Sequence, residues 1–499
     1  MATPTSAATT QPRGGIETRS IDYVPEHERH GKVSQQGPFW FLGNFQFFTI
    51  AIGFIGPGMG LSLGYTALAG ALGILFGTLF MAFHAAQGAQ LGLPQMIQSR
   101  AQFGYRGVVL ALIGSLFTFV GFNVVDTVLI AGGLHGIFGW GETEVAVVIT
   151  VIGTLLAIYG HDWLHRIFKV CFIVSLPLFI ILTLAILLGH AGGTAPAPAA
   201  AGGFTLVAFV AQFAASASYN ITYAPYVSDY SRYLPRNTKP SSIITAVFLG
   251  ASASAIWLIA LGAWLATHLG AADGLVALHA SGNAVYPGFG TAVSLAAVAA
   301  LVATMGMNAY SGMLTVVTAL DSLRKVTPGK GIRVLTILVL AAIWLTISLS
   351  ISGDAIGTLF AVLTVMLYLL VPWTAVNLVD YFFVRRGSYA ITHLFTSDGI
   401  YGSWGVRGIS SYLIGFAVTI PFFVLPGVYT GPVAEMLGGV DVGWLVGLLV
   451  SGSLYFIQCR SLDLSAEAPF IAQSEHELAT LTGADATPED QAVPFGKSI

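Results

Sequence analysis

Apolar residues in this chain gather into twelve long runs: 39 to 59, 64 to 90, 107 to 134, 144 to 160, 167 to 189, 204 to 227, 242 to 267, 292 to 319, 333 to 352, 356 to 382, 409 to 427 and 442 to 458. A helix of about 20 apolar residues crosses a hydrocarbon core of roughly 30 Å, and these runs have about that length. They predict an all-α polytopic membrane protein with about twelve transmembrane helices. Three regions follow: an N-terminal tail over residues 1–36, a transmembrane domain over 37–460, and an acidic tail over 461–499 that is expected to be disordered. Residues 1–36 lack the apolar core of a signal peptide, so no cleavage is expected.

Charge changes the picture by giving the runs a direction. With the N-terminus placed inside, all 20 lysines and arginines fall on that same side: the first tail, then Arg100 and Arg106, Arg166 and Lys169, Arg232 to Lys239, Arg324 to Arg333, Arg385 to Arg407, and Arg460 with Lys497. The opposite loops, at 134–143, 190–203, 267–291 and 428–441, carry only acids or no charge. This positive-inside asymmetry predicts a protein of the cell (inner or plasma) membrane with both termini in the cytoplasm. Asp229, Asp321 and Asp380 stand near Arg232, Arg324 and Arg385, and local pairing at the membrane surface is the expected reading.

Composition removes other classes. Hydrophobic residues make up 55% and charged residues 9%, against roughly 25% charged in a soluble domain, so lipid is the main solvent. Two cysteines, Cys171 and Cys459, offer no disulfide framework or cysteine metal site. No Walker-type loop, zinc signature or nucleophile elbow is present, which argues against an enzyme and against direct ATP-driven pumping. No cofactor, metal or nucleic-acid partner is expected, and the oligomeric state stays open.

Candidate chemistry lies inside the runs. The first reads TIAIGFIGPG over residues 49–58, and the sixth reads SASYNITYAP over 216–225. Glycine and proline at this density free backbone groups in mid-membrane, which is tolerated only where they are buried in protein or line a cavity. Two interrupted helices five spans apart are the mark of inverted-repeat secondary transporters. In the third run Ser115, Thr118, Phe122 and Asp126 recur at helical spacing, so the stripe faces protein. Asp126 has no basic residue in its span, and a charge there costs roughly 2.5 to 3.5 kcal/mol, so contact with substrate, cation or proton is expected. The eighth run adds TMGMNAYS over 304–311, polar within apolar surroundings; a helix–helix hydrogen bond is the plainer role for Asn308. Gly73 and Gly77 match the small-xxx-small packing pattern.

Four stretches carry a resemblance: IDYVPEHERHG at 21–31, GLPQMIQSRAQFG at 92–104, YVSDYSRYLP at 226–235, and PWTAVNLVDY at 372–381 followed by RRG at 385–387. Through them the chain resembles the purine-cytosine permease branch of the nucleobase-cation symporter family. The resemblance implies a leucine-transporter-like fold, with two inverted repeats of five helices plus two C-terminal helices, working by alternating access. It also implies that a flat heterocycle is held between aromatics on helices three and six, with amides from helices three and eight reading its edge. Here those positions fall on Phe122, on Asp126 in place of the usual amide, on Tyr219 and Asn220 with Tyr223 as the alternative, and on Asn308. Backbone around Thr49, Ala51 and Gly53 would complete the pocket. In sodium-coupled relatives the ion sits between the helix-one break and paired hydroxyls on helix eight. This sequence offers Thr304 followed by Met305, so a proton carried by Asp126 is favoured and sodium stays possible.

The expected function is cation-coupled import of a nucleobase or related heterocycle. Its alternatives are a same-fold carrier of allantoin, hydantoin, thiamine or another small solute, and a non-transporting membrane receptor.

Overall fold

The computed structural model describes residues 21–192, 202–270, 273–324, 326, 329–351 and 354–482. Residues 1–20 and 483–499 of the two expected tails lie outside this set. Among the described residues, eight helices are long and apolar enough to cross a membrane, and a bent pair adds a ninth. Three shorter apolar helices bring the number to twelve, one for each predicted run. We label them α1 (halves Val33–Asn44 and Phe47–Gly58), α2 (Leu63–Leu91), α3 (Val109–Phe138), α4 (Glu142–Tyr159), α5 (His161–Leu187) and α6 (halves Leu206–Ile221 and Val227–Ser231). Then follow α7 (Pro240–Leu269), α8 (Phe289–Leu323), α9 (Lys330–Ser350), α10 (Ala355–Val379), α11 (Val406–Thr419) and α12 (Gly443–Cys459). Among the described residues, a two-residue hairpin before α12 pairs Val424 with Thr430 and Leu425 with Tyr429, and a lone bridge joins Leu61 to Gly203.

Helices α1, α2, α6 and α7 pack mainly on one another, and α3, α4, α8 and α9 form a second group. Lipid gives helices no hydrophobic reason to associate, so close backbone approach must supply the packing. Gly73 and Gly77 do this: a Cβ on either would fall 2.3 Å from the Phe213 oxygen or 2.2 Å from the Ala217 oxygen of α6. The α3 stripe faces protein as expected, since Ser115, Thr118, Phe122 and Asp126 are buried while Ile113 and Phe117 are exposed.

Chain outside the spans is more ordered than its polarity suggested. The predicted loop 267–291 holds a helix, Gly274–Val285, whose N-terminal amides at Leu275 and Val276 donate to Asp273 at 2.8 and 2.9 Å. Its first glycine packs on the rings of Phe54 and Phe47. Within the expected N-terminal tail, Arg29 donates to the carbonyls of Val24 and Ala89, and the Val24 amide to Gly92.

The expectation of a disordered C-terminal tail is corrected for its first part, where Ala468–Thr482 is a helix. Two acids of this segment are paired: Glu467 takes a two-pronged contact from Arg385 at 2.9 and 3.0 Å, and Glu475 accepts from Arg236 at 2.8 Å. Ser474 accepts from the Thr392 amide, while Leu478 is buried in a cluster with Tyr389 and Phe395. Of the acid pairings, Asp380 meets Arg385 at 2.6 Å as expected. Asp321 turns instead to Arg100 at 2.9 Å and to the Tyr105 hydroxyl, because α8 carries it inward against the segment after α2.

Candidate substrate site

Helix α1 is interrupted twice: a turn at Gly53 and Phe54, within the stretch the sequence pointed to, separates Phe47–Ile52 from Ile55–Gly58, and a larger bend lies before it. The halves meet at 59° across Phe45 and Gln46, and Gly58 lies at the exposed end of the span. Side chains make this possible by taking up the freed backbone groups. Thr49 donates to the Asn44 carbonyl at 2.6 Å, and the Tyr223 hydroxyl donates to the Gly43 carbonyl at 3.0 Å. Helix α6 breaks at residues 222–226, between its halves and around Pro225, as the sequence predicted.

Four helices thus converge, α1 and α6 from one group and α3 and α8 from the other. Phe122 is the centre of the convergence. Its ring lies 5.2 Å from Phe48, 6.2 Å from Tyr219 and 6.4 Å from Tyr223. Phe122, Asp126, Tyr219, Tyr223, Asn308 and Gln46 are all between 0 and 4% exposed, so the site is closed from both sides.

The two expected helix-six partners of Phe122 differ in ring angle. Phe122 meets Tyr219 edge-on at 89°, and Tyr219 instead stacks on Phe48 at 15°. Tyr223 is nearer parallel to Phe122, at 31°. A flat ligand between two parallel rings needs a centroid separation of about 7 Å, two van der Waals thicknesses, so the Phe122–Tyr223 pair is within a small adjustment of that spacing.

Several other candidates are placed away from this centre. Asn220 points toward α2 and α7's side of α1: its oxygen accepts from Asn44 at 2.9 Å and its nitrogen donates to Thr78 at 2.5 Å. Both ends of the amide are therefore occupied by protein. A Cβ on Gly53 would fall 2.3 Å from the Ile259 oxygen, so that glycine serves the contact of α1 with α7. The Ala51 carbonyl is taken by the Phe54 amide at 3.1 Å. Thr49 is a brace, holding the Tyr219 hydroxyl at 2.8 Å. Thr304 donates to the Ala300 carbonyl of its own helix at 3.2 Å.

Two residues at the centre were missed from sequence. Gln46 donates to the Tyr219 hydroxyl at 2.8 Å and to that of Tyr223 at 3.3 Å. Asn123 donates to the Met305 carbonyl at 3.1 Å and accepts from Asn308 at 3.1 Å, joining α3 to α8. A glutamine flanked by aromatics, and an amide beside the stripe's Phe122, were the available signals. Asp126 makes no hydrogen bond among the described residues, and its buried Oδ1 is without a partner.

A bundle of broken helices that closes a polar, aromatic-lined centre has the architecture of leucine-transporter-like membrane proteins. Residues 23–447 match the family described as permeases for cytosine/purines, uracil, thiamine and allantoin, and the chain belongs to that family. It is 35% identical to YxlA of Bacillus subtilis (strain 168) over 448 residues, 89% of this chain and 95% of the relative. The purine-cytosine permease FCY2 of Saccharomyces cerevisiae is 23% identical, with 90% of this chain and 86% of that protein covered. In fold the chain is similar to Mhp1, a nucleobase-cation-symport-1 family transporter in a closed conformation with bromovinylhydantoin bound. The TM-score is 0.67 at 18% identity, over 96% of this chain and 99% of that one.

Proposed function

We propose that this permease imports a nucleobase-class heterocycle together with a proton, by alternating access about the Phe122 centre. Membership of a family of cytosine and purine permeases supports the substrate class. The observation that carries the proton is the Asp126 carboxylate, 1% exposed, inside the membrane span and without a hydrogen-bond partner among the described residues. An ionised carboxylate in that place has no counter-charge, and taking up a proton removes the cost of its charge. A sodium ion would instead need several oxygen ligands beside α8, where Thr304 supplies one hydroxyl and the next residue is Met305. The ring of Phe122 and that of Tyr223 would clasp the heterocycle, with Asn308 at its edge.

The charge pattern of the loops supports a cell-membrane location with both termini in the cytoplasm. The test is uptake of labelled cytosine, adenine, guanine, hypoxanthine, uracil and allantoin by transport-deficient cells expressing the protein. Accumulation of a base that collapses with a protonophore at fixed membrane potential is the expected result. Uptake that requires sodium and ignores the protonophore would sink the proton assignment.

A further inference from the structure

Between the ends of α10 and α12 and the first turns of the helix Ala468–Thr482 lies a cavity of about 820 Å³. Its wall is largely apolar. Phe383, Phe456 and Leu464 line it and are 62%, 40% and 41% exposed, so the cavity opens to the surroundings through them. Phe456 stands two helical turns from Leu449, which is also exposed, so the wall continues onto an exposed apolar face of α12.

The charges around this cavity do not cancel. Arg385 is held by Asp380 and Glu467, and Glu475 is held by Arg236. That leaves Arg386, just past the turn Asp380–Val384 that continues α10, and Arg460, directly after α12. Both are exposed, and among the described residues neither side chain has an acid or a hydrogen-bond partner. The Arg460 guanidinium lies over the Phe456 ring at 5.6 Å, at the edge of the apolar wall. A sharp turn separates Arg386 from its neighbour: Arg386 has a φ of +51° and Gly387 one of +79°, so Arg385 is turned inward while Arg386 stays at the surface. The left-handed conformation is costly for a residue with a Cβ, and among the described residues Arg386 is the one non-glycine that adopts it.

We propose that this cavity binds an anionic phospholipid of the adjacent leaflet, with the headgroup phosphate at Arg386 and Arg460 and the acyl chains along Phe383, Phe456 and Leu464. A free anion would use the arginines and leave the apolar wall in water; an uncharged amphiphile would do the reverse. A lipid with a net negative headgroup satisfies both at once. Guanidinium groups suit phosphate oxygens, and basic residues that directly follow membrane spans lie at headgroup level. Because Ile471 and Ala472 also line the cavity, the lipid ties the C-terminal helix to the two spans.

Titration of the full-length protein, purified in an uncharged detergent, with phosphatidylglycerol carrying a fluorescent acyl chain tests this. Saturable binding is expected, displaced at least tenfold better by unlabelled phosphatidylglycerol than by phosphatidylcholine. Phosphatidylglycerol should also raise the melting temperature, as any ligand of the folded state does. The double variant R386Q/R460Q should bind the probe roughly 10- to 30-fold more weakly, the effect of two surface charges, and lose the thermal shift. Its melting temperature without lipid should match wild type, since neither side chain is paired. Equal displacement by the two lipids would mark ordinary boundary lipid and overturn the proposal, whatever the variant does. Unchanged affinity in the double variant would also overturn it, and displacement by millimolar inorganic phosphate would replace the lipid by a free anion.

Discussion

Phe122 and Tyr223 face each other at 31° with their ring centres 6.4 Å apart, whereas Tyr219, the residue best matched by sequence, stands edge-on to Phe122. The difference follows from what holds each phenol. Tyr219 is stacked on Phe48 and tied to Thr49, and Tyr223 is tied to the open end of the first half of α1 through Gly43.

Phe122→Ala should weaken substrate binding roughly 10- to 100-fold, the effect of removing one stacking face of a base. Protein amount in the membrane should be unchanged. Saturation binding reads the effect, and an affinity within twofold of wild type would take Phe122 out of the site.

Asp126→Asn keeps the shape of the side chain but cannot titrate. Uptake driven by a pH gradient should be lost while exchange of labelled for unlabelled base persists. Proteoliposomes with an imposed pH gradient separate the two, and a variant that still accumulates substrate with the wild-type pH dependence would show that the proton travels elsewhere.

Asn220→Ala tests whether that residue braces the helices or reaches the substrate. Removing an amide that bridges Asn44 and Thr78 should cost about 1–3 kcal/mol of stability, visible as a lower melting temperature. Substrate affinity should stay within about twofold. A large loss of affinity at unaltered melting temperature would return Asn220 to the substrate.

At the C-terminal helix the two ion pairs should differ in weight. The Arg385 and Glu467 side chains are only 7% and 10% exposed, and truncating Glu467 withdraws a two-pronged partner from a buried cation, leaving it to Asp380 and the faces of Tyr389 and Tyr401. Arg236 and Glu475 are 44% and 52% exposed, where a pair contributes about 0–1 kcal/mol. Glu467→Ala should therefore lower thermal stability clearly more than Glu475→Ala, and equal effects would contradict the burial argument.

Single cysteines at Tyr286 and Thr396, in a cysteine-free background, test the orientation. An impermeant reagent applied to intact cells should label the first and not the second, because only the loop at Thr396 is on the arginine-rich side. Labelling of position 396 alone would invert the topology.

The sequence by itself determined the twelve helices, the α3 stripe and the break in α6, because each depends on local quantities: length of apolar run, helical period and a proline. It also singled out Phe122, Asp126 and Asn308, since a polar or aromatic group on the buried face of a span has few places to go. What only the tertiary structure decided were contacts between distant segments. The bend of α1 at Gln46 needs no glycine or proline there, because Tyr223 and Thr49 satisfy the freed carbonyls. Asn220 and Gly53 look like site residues in the chain, and only the fold shows that the Asn220 amide meets Thr78 of α2 and that Gly53 lies against α7. The helix Ala468–Thr482, on acidic, weakly apolar sequence, is docked by Arg385 on Glu467 just before it, by Arg236 on Glu475 and by the buried Leu478. Such partners lie tens to hundreds of residues away, and no local pattern records which of them a side chain will reach.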